Sequence, residues 1–250
     1  MQPKNLSKFL YVVRHSERTD KVQDPNERAK ITYRYDVPIT TRGHEWAFKT
    51  GEFLLSELEK LRSDGSRSAD AKLVLISSPY YRCIQTTKMI AQAVGAQNIH
   101  QQTIFTENAI QEWWHSAEVP ADVQKKRHYS NMTEKLRLEL FSQLANKNDT
   151  LFDYQKNPVL TAKFDEDMNT DCMERFKAVY GDLTERAALP ENSDKVFVCV
   201  SHGASIESQQ TLMDRYKFPD FCGTYLLEKM EPSVNKRLWK VLIENHKAYK

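Results

Sequence analysis

The chain has 250 residues, with 36 Lys and Arg against 34 Asp and Glu, a formal charge of +2. That length accommodates one large α/β domain spanning 1–250, and the near-neutral balance excludes a global field that would recruit nucleic acid or an acidic membrane surface. Four scattered cysteines, Cys83, Cys172, Cys199 and Cys222, form no C-x-x-C pair and no zinc-like spacing. They read as reduced thiols. No segment reaches the roughly 20 apolar residues that span a bilayer, and the amino terminus lacks an apolar leader, so a cytoplasmic protein is expected.

The first element is an apolar run from Phe9 to Val13 with the length and β-branched, aromatic content of a buried strand. It continues into Arg14-His15-Ser16-Glu17-Arg18, which should emerge at the strand's carboxyl end, where open α/β sheets place ligands. From Asp20 to Asp36 the chain is polar and interrupted by Pro25, which reads as a loop over the pocket, with Tyr33 and Tyr35 as entrance candidates. Ala47, Thr50, Leu54, Leu58 and Leu61 then keep helical spacing behind Thr40, a plausible amino-terminal cap. That helix ends in a polar connection around Gly65.

A second apolar strand, Leu73-Val74-Leu75-Ile76, leads into Ser77-Ser78-Pro79-Tyr80-Tyr81-Arg82. Ser78 reads as a helix cap and Pro79 as the first helical residue, which places Arg82 near the helix start, where exposed N–H groups add to its charge. Cys83, Ile90 and Val94 mark the buried stripe. A short strand is expected between Ile99 and Ile110, ending at Glu112-Trp113-Trp114. The stretch from about 119 to 160 is too long for a simple crossover; Leu136, Leu140, Phe141 and Leu144, behind Asn131 and Glu134 as a capping pair, predict an inserted helical cap. A helix from about Thr170 to Ala188 follows. The third strand, Val196 to Val200, leads into Ser201-His202-Gly203 and another helix, and the segments around Leu226 and Leu238 to Ile243 read as edge strands or a hairpin.

Three strands thus end in cationic or titratable side chains, which brings Arg14, His15, Arg18, Arg82 and His202 towards one edge of one sheet. A dianion is the natural guest. Guanidinium groups donate paired hydrogen bonds and stay charged, so three of them with a histidine suit a phosphate. No acidic cluster suited to magnesium accompanies these motifs, so neither metal nor cofactor is expected.

Arg14-His15-Ser16-Glu17-Arg18, Ser78-Pro79-Tyr80-Tyr81-Arg82-Cys83-Ile84-Gln85-Thr86 and Ser201-His202-Gly203 resemble the histidine phosphatase superfamily, also called phosphoglycerate mutase-like. Glu112-Trp113 and Phe221-Cys222 make the chain similar, within it, to the phosphatase domain of the ubiquitin-associated and SH3 domain-containing proteins and to ecdysteroid-phosphate phosphatases. Asp36, Pro38, Ile39-Thr40 and Gly43 extend the likeness. The resemblance implies a three-layer α/β/α fold with a mostly parallel central sheet, and a histidine acid-type phosphatase that hydrolyses phosphomonoesters. It further implies His15 as the nucleophile that becomes phosphohistidine, Arg14, Arg18, Arg82 and His202 as phosphate ligands, and Glu112 as the acid, with Glu107 as the nearby competitor.

The implied substrates are small phosphate esters, including aryl phosphates, phosphotyrosine and steroid phosphates. Trp113, Trp114, Tyr33 and Tyr35 could supply an aromatic wall for them. Pairing into a homodimer is implied as well. Ser16 departs from the family's usual glycine: if its backbone needs positive φ, the added Cβ costs on the order of 1 kcal/mol or more and could displace His15. That departure motivates a second reading, a pseudophosphatase that binds phosphorylated ligands or serves as an interaction domain. A phosphoglycerate mutase is the third reading, which the stretch after Arg18 does not favour.

Overall fold

The computed structural model of the chain describes residues 8–32, 36–95, 103–112, 151–152, 155–156, 158–160, 167–210, 218–230 and 239–250. Strand β1 (Phe9–Arg14) is followed by a short helix α1 (Pro25–Arg28), the long helix α2 (Thr41–Ser63), strand β2 (Lys72–Ser77) and helix α3 (Tyr81–Val94). Then come β3 (Thr103–Thr106), α4 (Met173–Ala187), β4 (Lys195–Ser201), α5 (Gly203–Gln210), β5 (Thr224–Lys229) and β6 (Trp239–His246). The expected helical cap at 119–160, with Leu136, Leu140, Phe141, Leu144, Asn131 and Glu134, lies outside the described residues except at its end. So do Tyr33, Tyr35, Trp113 and Trp114.

The six strands form one sheet in the order β3-β2-β4-β1-β5-β6. The first four run parallel, whereas β5 and β6 are antiparallel additions at one side. Period-two alternation sorts the strand residues between two layers. Tyr11, Val13, Leu73, Leu75, Val198 and Val200 pack with Leu54, Leu58, Ile84 and Ile90 of α2 and α3 on one face. Leu10, Val12, Val74, Ile76, Phe197 and Cys199 pack with Phe176, Val179, Tyr180 and Leu183 of α4 on the other. The result is the expected α/β/α sandwich with a mostly parallel sheet. All four cysteines are free and buried.

Helix α2 begins where Thr40 accepts from the Gly43 N–H at 2.8 Å, as its sequence predicts. Its Gly51 lies so close to α3 that an added Cβ would sit 2.6 Å from the Ala93 Cβ and 2.7 Å from the Ile90 carbonyl oxygen. A small residue is what lets the two helices meet.

Two local expectations are corrected. Pro25 does not break the chain into pure loop; it opens α1, with the Asp24 carboxylate accepting from the Asn26 N–H at 2.9 Å. Proline suits the first helical position because the N–H it lacks would have no helical partner there. Ser78 does not cap α3, which starts at Tyr81. The cap comes from elsewhere in the sequence: the Asp36 carboxylate accepts from the Tyr81 N–H at 2.8 Å. Ser78 is thereby left for another partner.

The register fixes what the sheet edge carries. Arg14 lies opposite Ser201, and Ser77 opposite Val200. The chain therefore leaves β1, β2 and β4 at one level, placing His15, Ser78 and His202 side by side. Among the described residues no helix is long and apolar enough to cross a membrane.

Candidate active site

His15 follows β1 directly, its N–H held by the Ser201 carbonyl at 2.8 Å. Its side chain is 1% exposed. The ring Nδ1 donates to the Ser16 carbonyl at 2.8 Å, which assigns the proton to Nδ1 and leaves Nε2 with its lone pair. Burial, with the charges of Arg82 and Arg14 and the neighbouring His202, pushes the ring's pKa well below the usual histidine value. The imidazole is neutral at pH 7, as a nucleophile must be.

His202 is the second ring, 0% exposed, with its centroid 5.4 Å from that of His15. Its Nε2 lies 2.7 Å from the Ser78 hydroxyl, the partner that draws Ser78 away from a capping role. Its Nδ1 lies 3.1 Å from Glu112 Oε2. With the carboxylate ionised, Nδ1–H donates to it and Nε2 accepts from Ser78. Burial, only partly offset by Glu112 and reinforced by Arg82, lowers the His202 pKa to about 4.

Arg82 sits in the first turn of α3 and joins these groups. Its Nη2 donates to Glu112 Oε2 at 3.1 Å and lies 3.1 Å from His202 Nδ1, while Nη1 is 3.7 Å from the Asp36 carboxylate. The guanidinium also rests on the Tyr80 ring at 4.4 Å. One feature differs from the sequence expectation: the Tyr81 N–H is spent on Asp36 and is not available to an anion.

Arg14 is held differently. Its Nη1 donates to the Pro219 carbonyl at 2.6 Å, and its guanidinium carbon lies 4.7 Å from the Phe218 ring centre and 4.3 Å from that of Phe221. Burial and the charges of Arg18 and Arg82, against the pull of Glu112 and Asp220, bring its pKa down to about 10. It remains a cation at neutral pH. Arg18 is turned onto Asp20 in a two-pronged pair at 2.9 and 2.8 Å, so this expected phosphate ligand, like Arg82, is engaged by a carboxylate.

Ser16 needs no glycine. Among the described residues only Cys222 and Asn245 combine a side chain with positive φ. Its N–H donates to Thr86 Oγ1 at 3.0 Å and its hydroxyl to the Gly43 carbonyl at 2.7 Å, which pins the carbonyl that orients His15. The tight position is Gly43 instead, where a Cβ would stand 3.0 Å from the Glu17 carbonyl oxygen and 3.2 Å from Ser16 Oγ.

Glu112, the expected acid, lies against Arg82 and His202. Burial alone would raise its pKa, but His202, Arg82 and Arg18 outweigh that effect and hold it at about 2. It is a carboxylate paired with Arg82 and the His202 ring. Glu107, its competitor, is buried and accepts from the Leu151 N–H, a bond that ties β3 to the next described segment.

His15, His202 and Glu112 also offer three ligand atoms within 4.8 Å of one another. A cation drawn to them would meet Arg82, which lies against two of the three, and the fixed positive charge favours an anion. Phe218, Pro219 and Phe221 carry no motif and were not singled out from the sequence; Phe221-Cys222 was noted only as part of a family likeness. A late aromatic pair flanking proline was the available signal.

The family model for the histidine phosphatase superfamily (branch 1) matches residues 10–153. The chain belongs to that superfamily. A phosphoglycerate mutase from Bacillus anthracis str. Sterne is similar in structure at 15% identity and a TM-score of 0.55, covering 97% of this chain and 95% of its own. A mycobacterial glucosyl-3-phosphoglycerate phosphatase aligns at 14% identity and 0.52, covering 95% and 98%. The ecdysone phosphate phosphatase from Bombix mori, solved with tungstate, aligns at 14% identity and 0.50, covering 94% and 91%. At such identities the likeness is one of fold. A sequence search of curated proteins returned no match.

Proposed function

We propose that the chain is a cytoplasmic phosphomonoester hydrolase that works without metal and transfers the phosphoryl group through His15. The observation that carries this reading is the Nδ1 bond of His15 to the Ser16 carbonyl, which leaves Nε2 neutral and unprotonated among Arg14, Arg82 and His202. Phosphoryl transfer asks mainly for positioned positive charge and a nucleophile, and a neutral imidazole beside guanidinium groups supports that reading.

An entering phosphate displaces Glu112 from Arg82 and His202 and takes over their hydrogen bonds. Arg14 contributes a third contact, and Arg18 a fourth once it leaves Asp20. Nε2 of His15 then attacks phosphorus, forming the N–P bond as the ester P–O bond breaks. The released carboxyl of Glu112 gives its proton to the departing oxygen. That proton arrives with the substrate: phosphate monoesters have a second pKa of about 6, and the bound anion offsets the cations that hold Glu112 low. In the second half, water attacks phosphorus, the N–P bond breaks, and Glu112 takes the water's proton. That proton leaves with the inorganic phosphate, which returns His15 to its neutral form and Glu112 to its carboxylate.

Aryl and steroid phosphates are the proposed substrate class, supported among the described residues by Phe218, which is 51% exposed at the side of Arg14. The motive for a pseudophosphatase weakens because Ser16 has ordinary backbone geometry. Hydrolysis of an aryl phosphate by the purified chain with chelator present tests the proposal. Turnover that survives chelation and is lost in His15→Ala supports it; phosphate binding without turnover in wild type contradicts it, and phosphoryl exchange on phosphoglycerate would indicate a mutase.

A further inference from the structure

The carboxyl-terminal segment is bonded to the loop that holds Arg14. Strand β6 ends at Asn245 and His246, and Asn245 adopts a φ of 50°, the left-handed region that asparagine tolerates better than most residues. Its Oδ1 accepts from the Asp220 N–H at 2.9 Å, and its Nδ2 donates to Asp220 Oδ2 at 2.9 Å. The approach depends on Gly223, where a Cβ would lie 2.2 Å from Asn245 Oδ1. Lys247 adds an ion pair to Asp220, and the Tyr249 hydroxyl donates to the Phe221 carbonyl at 2.9 Å. Tyr249 is itself stacked on Trp46 of α2 at 4.0 Å.

The Asp220 N–H and the Pro219 carbonyl belong to one peptide unit. That unit is planar, so the bond from Asn245 fixes the direction of the carbonyl on its other edge. The carbonyl is the acceptor for Arg14 Nη1 at 2.6 Å. The loop also meets β1 at its end, with the Arg14 N–H donating to the Gly223 carbonyl at 3.1 Å and Cys222 N–H to that of His15 at 3.4 Å. Phe221 packs its ring on Arg14 at 4.3 Å and on His15 at 5.8 Å.

We propose that Asn245 is a positioning residue of the phosphate pocket: through the 219–220 peptide it sets the orientation of Arg14, with Tyr249 securing the same loop at Phe221. The proposal rests on the pocket being a phosphate site but not on its turning substrate over. A hydrogen bond at each edge of one amide also strengthens the other by polarisation, so the two contacts act together.

Asn245→Gly is the informative substitution, because glycine accepts the positive φ and deletes only the side-chain bonds. Inorganic phosphate binding is measured by calorimetry in four proteins: wild type, Asn245→Gly, Arg14→Ala and the double variant. The expected result is about a tenfold loss of affinity on Asn245→Gly in the wild-type background and less than about twofold in the Arg14→Ala background, since a residue acting through Arg14 has nothing left to act on. Equal losses in both backgrounds overturn the proposal and leave Asn245 a structural residue. Should Arg14→Ala not fold, rotation of the Arg14 guanidinium read by nitrogen-detected NMR decides instead: faster rotation in Asn245→Gly supports the proposal, and an unchanged rate overturns it. Failure of aryl phosphate hydrolysis with the coupled loss of phosphate affinity intact would refute the hydrolase alone.

Discussion

Lowering the pH from 7.5 to 4 should destabilise the protein through His202 by an amount that the pocket's geometry sets. The ring is buried against Arg82, so its folded-state pKa is about 4 against an ordinary 6.5. As pH falls through 6.5 the unfolded chain takes up the proton while the folded ring refuses it. The stability that His202 contributes is therefore fully present above 6.5 and declines until the folded ring also protonates near 4. A separation of that size corresponds to about 3 kcal/mol across the window. His15, also depressed, acts with the same sign, and Glu112, held at about 2, extends the loss below pH 4.5. Urea unfolding of wild type and His202→Gln at pH 7.5, 6, 5 and 4 separates the His202 contribution from that of the other titrating groups. The stability difference between the two proteins should narrow by about 3 kcal/mol as the pH falls. A difference that stays constant would refute the assignment of a neutral, buried His202.

Three further outcomes follow from single contacts. Ser16→Gly loses the buried bond to the Gly43 carbonyl and adds backbone freedom; chemical denaturation should register a loss of about 1–2 kcal/mol while turnover stays within about threefold. Turnover rising tenfold would instead mean that serine impairs the wild type. Gly51→Ala drives a methyl into Ala93 and Ile90 and should cost about 1–3 kcal/mol, read as a lower Tm; an unchanged Tm would show that α2 and α3 can part freely. Glu112→Gln should lower kcat about 10²- to 10⁴-fold, because the leaving oxygen loses its acid, yet bind inorganic phosphate at least as tightly, because a resident anion is gone. Weaker phosphate binding would contradict the carboxylate's place in the pocket.

The strands whose ends carry the candidate site were legible because each is a short apolar run that ends abruptly in polar residues, and alternation along Leu10 to Val13 matches the two layers they enter. Thr40 was legible as a cap because the bond it makes is local. Ser78 was not: its hydroxyl turns to His202, and the cap of α3 comes from Asp36, 45 positions earlier, a pairing that no local pattern encodes. The ionised state of Glu112 depends on how closely Arg82, Arg18 and the His202 ring approach it in space. The same holds for Phe218 and Pro219, whose contacts with Arg14, and for Asn245, whose bonds to Asp220, exist only once β5 and β6 have folded back beside β1.

The identity of the nucleophile is tested most directly by trapping the intermediate. The chain is mixed with a phosphorus-labelled aryl phosphate, quenched within milliseconds, digested and mapped by mass. Label that survives base, is released by acid and resides on His15 is the predicted result. Label on another residue, or hydrolysis in single turnover with no label on the protein at any time, would contradict the account.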